Sequence, residues 1–284
     1  MFLDTHSKNS MEQSVCNYLS ISLNELNNTL EKASLSASNG LFFNGNIFDN
    51  VINDFICSHL PMQQIDEILF FHLGRRLHNA DSIKYGSNLY DLLTQDSELC
   101  RFLNQHKVTF QPKDGHLELY YNEQYVSLEN TYETKVSYLR SRLGYISGRQ
   151  DYCFNGFAFK DLLYKNHYAQ ELSDVPEFIG VLADFLNKRR IGTDYYENST
   201  YYCYEYCVPI EFVLFDNNQG MVLEDKKIYI VNQIFNRLHY YLYSDITYMS
   251  DDENPILRLK DFVTMDEKYF VGKEKITDKM LRCY

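Results

Sequence analysis

The sequence predicts an α+β protein, with antiparallel sheet groups, flanking helices and a helical N-terminal segment. Three observations carry this. Helical and strand-like patterns come in blocks rather than in strict alternation, which disfavours a doubly wound parallel sheet. Short strand-like runs at Lys107–Phe110, His116–Tyr121 and Gln124–Leu128 follow one another with turn residues between them. The chain also holds 25 Tyr and 19 Phe with no Trp, and aromatic side chains favour strands and bury large apolar areas.

Val15, Leu19, Leu23, Leu26 and Leu30 fall close to helical spacing and predict one helix within residues 1–40. The stretch Lys32–Gly45 is rich in Ser, Ala, Asn and Gly and reads as a flexible joint. Residues 1–45 are therefore expected as a polar N-terminal helix and joint, and 46–284 as a single α+β domain, a length one domain can fill. Ile47, Val51, Ile52, Phe55 and Ile56 mark one face of a helix over 47–60. Ile65–Leu77 stays open. Ile65, Ile68, Leu69, His72 and Leu73 fit a helical stripe, yet Ile68–Leu73 also reads as a buried strand.

Asn88 can cap a short helix through Leu93, and Asp96 or Ser97 another through His106. The three strand-like runs then form a meander, turned at Lys113-Asp114-Gly115 and Asn122-Glu123. Helices are expected at Glu133–Leu143, Gly156–Tyr164 and Pro176–Lys188. Tyr201–Phe215 reads as a strand, with Pro209 marking an edge or bulge. After a turn at 217–220, Met221–Leu223 and Lys227–Val231 complete a second antiparallel group, and an acidic, loop-rich tail starts near Asp245.

The formal charge is −12, from 27 basic and 39 acidic residues. Such a chain repels nucleic acid and anionic membranes outside local patches, and suits a basic protein partner. No apolar run approaches the roughly 20 residues that cross a bilayer, so no membrane role is expected. Seven irregularly spaced cysteines and a polar start predict free thiols in the cytoplasm. Cys203 and Cys207 lack the partners and spacing of a zinc site, so no metal is expected. The absence of a P-loop, Gly-x-Ser-x-Gly, His-Glu-x-x-His or Rossmann glycine run argues against the commonest ATPases, hydrolases, zinc proteases and dehydrogenases.

Three groups remain as candidates. In Phe71-His72-Leu73-Gly74-Arg75-Arg76, a strand would place His72 near its end, with Gly74 allowing close ligand approach and Arg75 and Arg76 suited to a diphosphate. A helix would instead make His72 and Arg76 neighbours one turn apart at an ion-paired end. Around Arg140, Arg142, Tyr145, Gly148 and Arg149, arginines interleave with glycines and aromatics. They could hold phosphates with Tyr145 stacked on a ring, or pair with Glu129, Glu133 or Asp151. Glu205 and Glu211 sit on an apolar aromatic stretch, either facing a cleft or lying on a solvated strand side.

His72, Tyr145 and Glu211 together resemble the His-Tyr-Glu order of ADP-ribosyltransferases, over about residues 65–216. The resemblance implies NAD as cofactor and transfer of ADP-ribose to a macromolecular protein or nucleic-acid substrate, in a toxin or defence setting. It implies that His72 holds the NAD ribose, Tyr145 stacks on nicotinamide and Glu211 orients the ribose, with Arg75, Arg76, Arg140 and Arg142 binding the cofactor. The sequence departs from that family in placing Leu73 between the His and Gly74. The competing expectations are a non-enzymatic acidic binding or inhibitory protein (an immunity, antitoxin or anti-defence factor), and a sensor whose arginines hold a nucleotide without chemistry.

Overall fold

The computed structural model describes residues 1–40, 42–59, 64–130, 132–146 and 151–282. Where spacing predicts one N-terminal helix there are two, α1 (Lys8–Leu19) and α2 (Leu23–Ala37). Ser20 separates them by taking a left-handed conformation, φ 57°, and Ser22 caps α2 by accepting from the Glu25 N–H. The stretch read as a joint contributes the end of α2 and a bridge between Ser38 and Phe43 before α3 (Gly45–Ser58) begins. Met11, Val15, Leu26 and Leu30 pack in one core with Phe48, Ile52, Ile230 and Ile234. Residues 1–45 therefore share their core with the rest of the chain.

The ambiguous run forms a strand, β1 (Glu67–Leu77). Ile68, Leu69, Phe70 and Phe71 are all buried, because both faces of β1 are covered. Burial on both faces removes the alternation that separates a strand from a helix in sequence. Asn88 caps α4 (Leu89–Thr94) and Ser97 caps α5 (Glu98–Gln105). The meander follows as β2 (Val108–Lys113), β3 (His116–Tyr121) and β4 (Gln124–Val126), and then α6 (Thr134–Arg142).

Two expectations are corrected. Gly156–Tyr164 is not a helix: it supplies most of β5 (Asn155–Phe157) and a loop into a 3-10 turn at Leu163–Lys165. A Cβ on Gly156 would lie 2.7 Å from the Phe71 carbonyl oxygen, so the bare backbone is what lets β5 approach β1. After α7 (His167–Glu171), α8 (Glu177–Phe185) and α9 (Arg190–Glu197) come β6 (Ser199–Pro209) and β7 (Leu214–Phe215). The strands expected at Met221–Leu223 and Lys227–Val231 instead fall largely in one helix, α10 (Leu223–Tyr240). Its buried Ile230, Val231, Ile234, Phe235 and Leu238 repeat at helical spacing. That pattern, carried within an 18-residue helix, outweighs the β-branched run around Ile228. The chain continues through β8 (Ile256–Arg258), β9 (Phe270–Lys275) and α11 (Asp278–Leu281).

Six strands make one antiparallel sheet in the order β7-β8-β5-β1-β6-β9, and the meander makes a second. β1 and β6 pair along their whole length, from Glu67 opposite Pro209 to Leu77 opposite Ser199. Ile68, Phe70, Tyr204 and Tyr206 face the core shared with α3 and α10. Leu69, Phe71, Leu73 and Cys203 face a smaller core on the other side. A further core is built by α4, α5, α6, α8, α9 and the meander. Among the described residues no helix is long and apolar enough to cross a membrane.

Candidate binding cleft

β5 pairs with β1 only at Phe71 opposite Phe157. Past that point a cleft of about 450 Å³ opens between β1 and the core of α4–α6, α8 and α9. His72 to Leu77 form one wall; Leu89, Phe154, Phe178 and Ile179 contribute apolar surface; Arg101, paired with Asp96 and Glu98, Arg142, paired with Asp151, and Glu177 make up the charged lining on the helix side.

The His72 ring is held in one orientation. Its Nδ1 lies 2.7 Å from the Asn155 carbonyl oxygen. A carbonyl only accepts, so Nδ1 carries the proton and donates, leaving Nε2 with its lone pair. The Phe154 ring packs beside it at 4.2 Å between centroids. Enclosure pushes the His72 pKa down to about 4, against the pull of the Asn155 hydrogen bond and with help from the Arg76 charge. At neutral pH the imidazole is therefore uncharged. Nε2 has no hydrogen-bond partner among the described residues. It lies above Gly74, where a Cβ would come within 2.9 Å of it.

Successive side chains of a strand point to opposite faces, which gives the adjacent arginines different surroundings. Arg75 points into the fold. Its Nε donates to Ser199 Oγ at 2.9 Å, its Nη1 to the Ser173 carbonyl at 2.7 Å, and its Nη2 to the Tyr196 and Ser199 carbonyls at 3.0 and 2.9 Å. Its guanidinium also lies 4.0 Å from the Tyr196 ring centroid. The group expected to bind cofactor thus ties β1 to the loop before α8, to the end of α9 and to the start of β6, although it borders the cleft. Arg76 shares the face of His72. It makes one hydrogen bond, to the Tyr85 carbonyl at 3.2 Å, and lies 4.9 Å from the centre of the Tyr204 ring. Among the described residues no carboxylate is within ion-pair distance of it.

Tyr204 stands opposite His72 on β6, with 6.4 Å between ring centroids. Its buried hydroxyl has no partner among the described residues, and burial pushes its pKa up to about 12. Sequence reasoning passed over Tyr204, Asn155 and Phe154. The one available signal for Tyr204 was the alternation of Tyr202, Tyr204 and Tyr206, which marks one face of a strand.

The second arginine group divides. Arg142 borders the cleft and pairs with Asp151 at 2.6 Å, while its buried Nε has no partner among the described residues. Arg140 lies away from the cleft lining, donating to the Leu128 carbonyl at 2.9 Å and covering the Tyr145 ring at 4.9 Å. Tyr145 packs against His116, with centroids 4.1 Å apart, and does not border the cleft. Gly148 and Arg149 lie outside the described residues.

Glu211 lies in the 3-10 turn Ile210–Phe212, exposed and past the end of β6. Pro209 is opposite Glu67, five positions along β1 from His72, or about 17 Å at strand rise. The structure therefore does not bring His72, Tyr145 and Glu211 to one place. Glu205 takes a different role: its Oε2 lies 3.1 Å from His6 Nε2. Among the described residues no three His, Cys, Asp or Glu side chains gather as metal ligands. Compared with family models, curated proteins and solved structures, the chain matches none.

Proposed function

We propose that this protein binds a small anionic ligand of the nucleoside phosphate class in the cleft along β1, as a binding or sensing module. The observation that carries this is Arg76, a guanidinium on the cleft wall with no carboxylate partner among the described residues. A cation already paired offers little to a ligand, whereas an unpaired guanidinium beside an apolar wall binds phosphate oxygens in a forked geometry. Apolar and aromatic lining with a few convergent polar groups is the usual make-up of a small-molecule site, and the volume is within the usual range. NAD belongs to the same ligand class. ADP-ribosyl transfer would further require Tyr145 on the nicotinamide and Glu211 at the ribose, whereas binding requires only the cleft.

The test is calorimetric titration of the full chain with AMP, ADP and inorganic phosphate, repeated on Arg76→Ala. Binding by the wild type and its loss in Arg76→Ala support the proposal. No heat from any of the three, or unchanged affinity in the variant, overturns it.

A further inference from the structure

Resting on that ligand reading, we propose that His72 makes the cleft selective for nucleoside phosphates whose base presents an N–H, with the base donating to Nε2 while the phosphate lies on Arg76. Three features of the cleft lead there. The imidazole cannot turn to offer a donor, because Nδ1–H is held by the Asn155 carbonyl and Phe154 flanks the ring. His72 and Gly74 both line the cleft, and a Cβ on Gly74 would come within 2.9 Å of Nε2. The Arg76 guanidinium and the His72 ring both lie against one tyrosine, 4.9 and 6.4 Å from the Tyr204 ring centre, so one compact ligand can reach both.

The complementarity follows from the charge states. A neutral imidazole with Nδ1 protonated presents only a lone pair to the cleft. A ligand atom that is itself an acceptor sets lone pair against lone pair and leaves both unsatisfied. An N–H on a planar heterocycle satisfies Nε2, and Phe154 and the apolar wall accept the ring's faces. Arg76 disfavours a cationic donor in the same place, which leaves neutral donors tethered to an anion; of these, a heterocyclic N–H also brings a ring face to the apolar wall, which a sugar hydroxyl does not.

The experiment uses the full chain and six probes: AMP, GMP, CMP, UMP, ribose 5-phosphate, and purine riboside 5′-monophosphate, whose base ring carries no N–H. The best of the four natural mononucleotides should bind on the order of tenfold tighter than the last two. His72→Phe, which keeps an aromatic ring, should remove most of that preference, weakening the best mononucleotide by a larger factor than ribose 5-phosphate. If purine riboside 5′-monophosphate binds wild type as tightly as the best mononucleotide, the base contributes by stacking alone and the proposal is overturned. That comparison needs no variant, so it stands even if His72→Phe fails to fold. A His72→Phe that weakens all probes by the same factor also overturns it. Absence of binding by every probe removes the ligand reading itself, an outcome distinct from binding without preference.

Discussion

The imidazole of His72 lies close over Gly74: a Cβ at Gly74 would come within 2.9 Å of Nε2. Gly74→Ala therefore sets two effects against each other. Replacing glycine inside a strand gains roughly 0.5–1 kcal/mol from the unfolded chain. Overpacking against a ring pinned by Asn155 and Phe154 costs about 1–3 kcal/mol. The expected outcome is net destabilisation in urea unfolding, together with weaker binding of mononucleotides relative to ribose 5-phosphate. A variant as stable and as selective as wild type would show that the ring moves freely.

His72 should titrate near pH 4, which nuclear magnetic resonance of its ring protons can read. Its folded pKa lies below the ordinary value, so the unfolded chain takes up the proton first as pH falls. Stability from this residue is thus complete above about pH 6.5 and declines as pH drops toward 4. Thermal melts of wild type should show that acid-side decline, and His72→Phe should reduce it. A resonance titrating near 6.5 would contradict the enclosure described for the ring.

His6 should behave in the opposite sense. Its Nε2 meets Glu205 at 3.1 Å and its Nδ1 meets Asp4 at 2.7 Å. The hydrogen bond to Glu205 raises its pKa, burial opposes this, and Asp4 adds to the rise. Stabilisation is therefore full below the unfolded pKa and is lost as pH climbs through the raised value in the folded state. His6→Gln should flatten the alkaline side of the stability profile between about pH 6 and 8, the range around an ordinary histidine pKa. An unchanged slope there would show that the bonds to Glu205 and Asp4 contribute nothing.

Arg237 is buried near the end of α10 between two carboxylates, with Nε 2.9 Å from Asp161 and Nη1 2.9 Å from Glu253. Asp161 also accepts from the Tyr241 hydroxyl at 2.8 Å. Arg237→Ala leaves those carboxylates enclosed without their cation, and breaking such a buried pair costs about 3–5 kcal/mol. Urea unfolding at neutral pH should show a loss of that size, reduced when Asp161→Asn is added. A loss under about 1 kcal/mol, the range of a surface pair, would mean that water reaches the site.

Much of the architecture is legible in local sequence. Asn88 and Ser97 announce their helices because a cap is made within three residues, and the meander is announced by Asp114-Gly115 and Asn122-Glu123. The site is less legible because its properties come from distant partners. His72 draws its tautomer from Asn155, 83 positions away, and its opposite neighbour from β6. Arg75 and Arg76 look equivalent in sequence, and only the strand assignment of β1 separates them. Ile65–Leu77 withheld that assignment because burial on both faces erases the period. The α10 error has the reverse cause: a short β-branched segment drew attention from a helical period readable only over the longer window.

The alternation of Arg75 and Arg76 limits how β1 can change over generations. Substitutions along the strand alter one position each, whereas inserting or deleting a single residue upstream of Arg75 would reverse the facing of everything after it. The guanidinium that ties β1 to Ser173, Tyr196 and Ser199 would turn to the cleft, and its neighbour would turn inward among acceptors placed for another reach. Descendants of this gene should therefore vary in residue identity along Glu67–Leu77 while keeping the length of that segment fixed, with length variation displaced to the loops on either side.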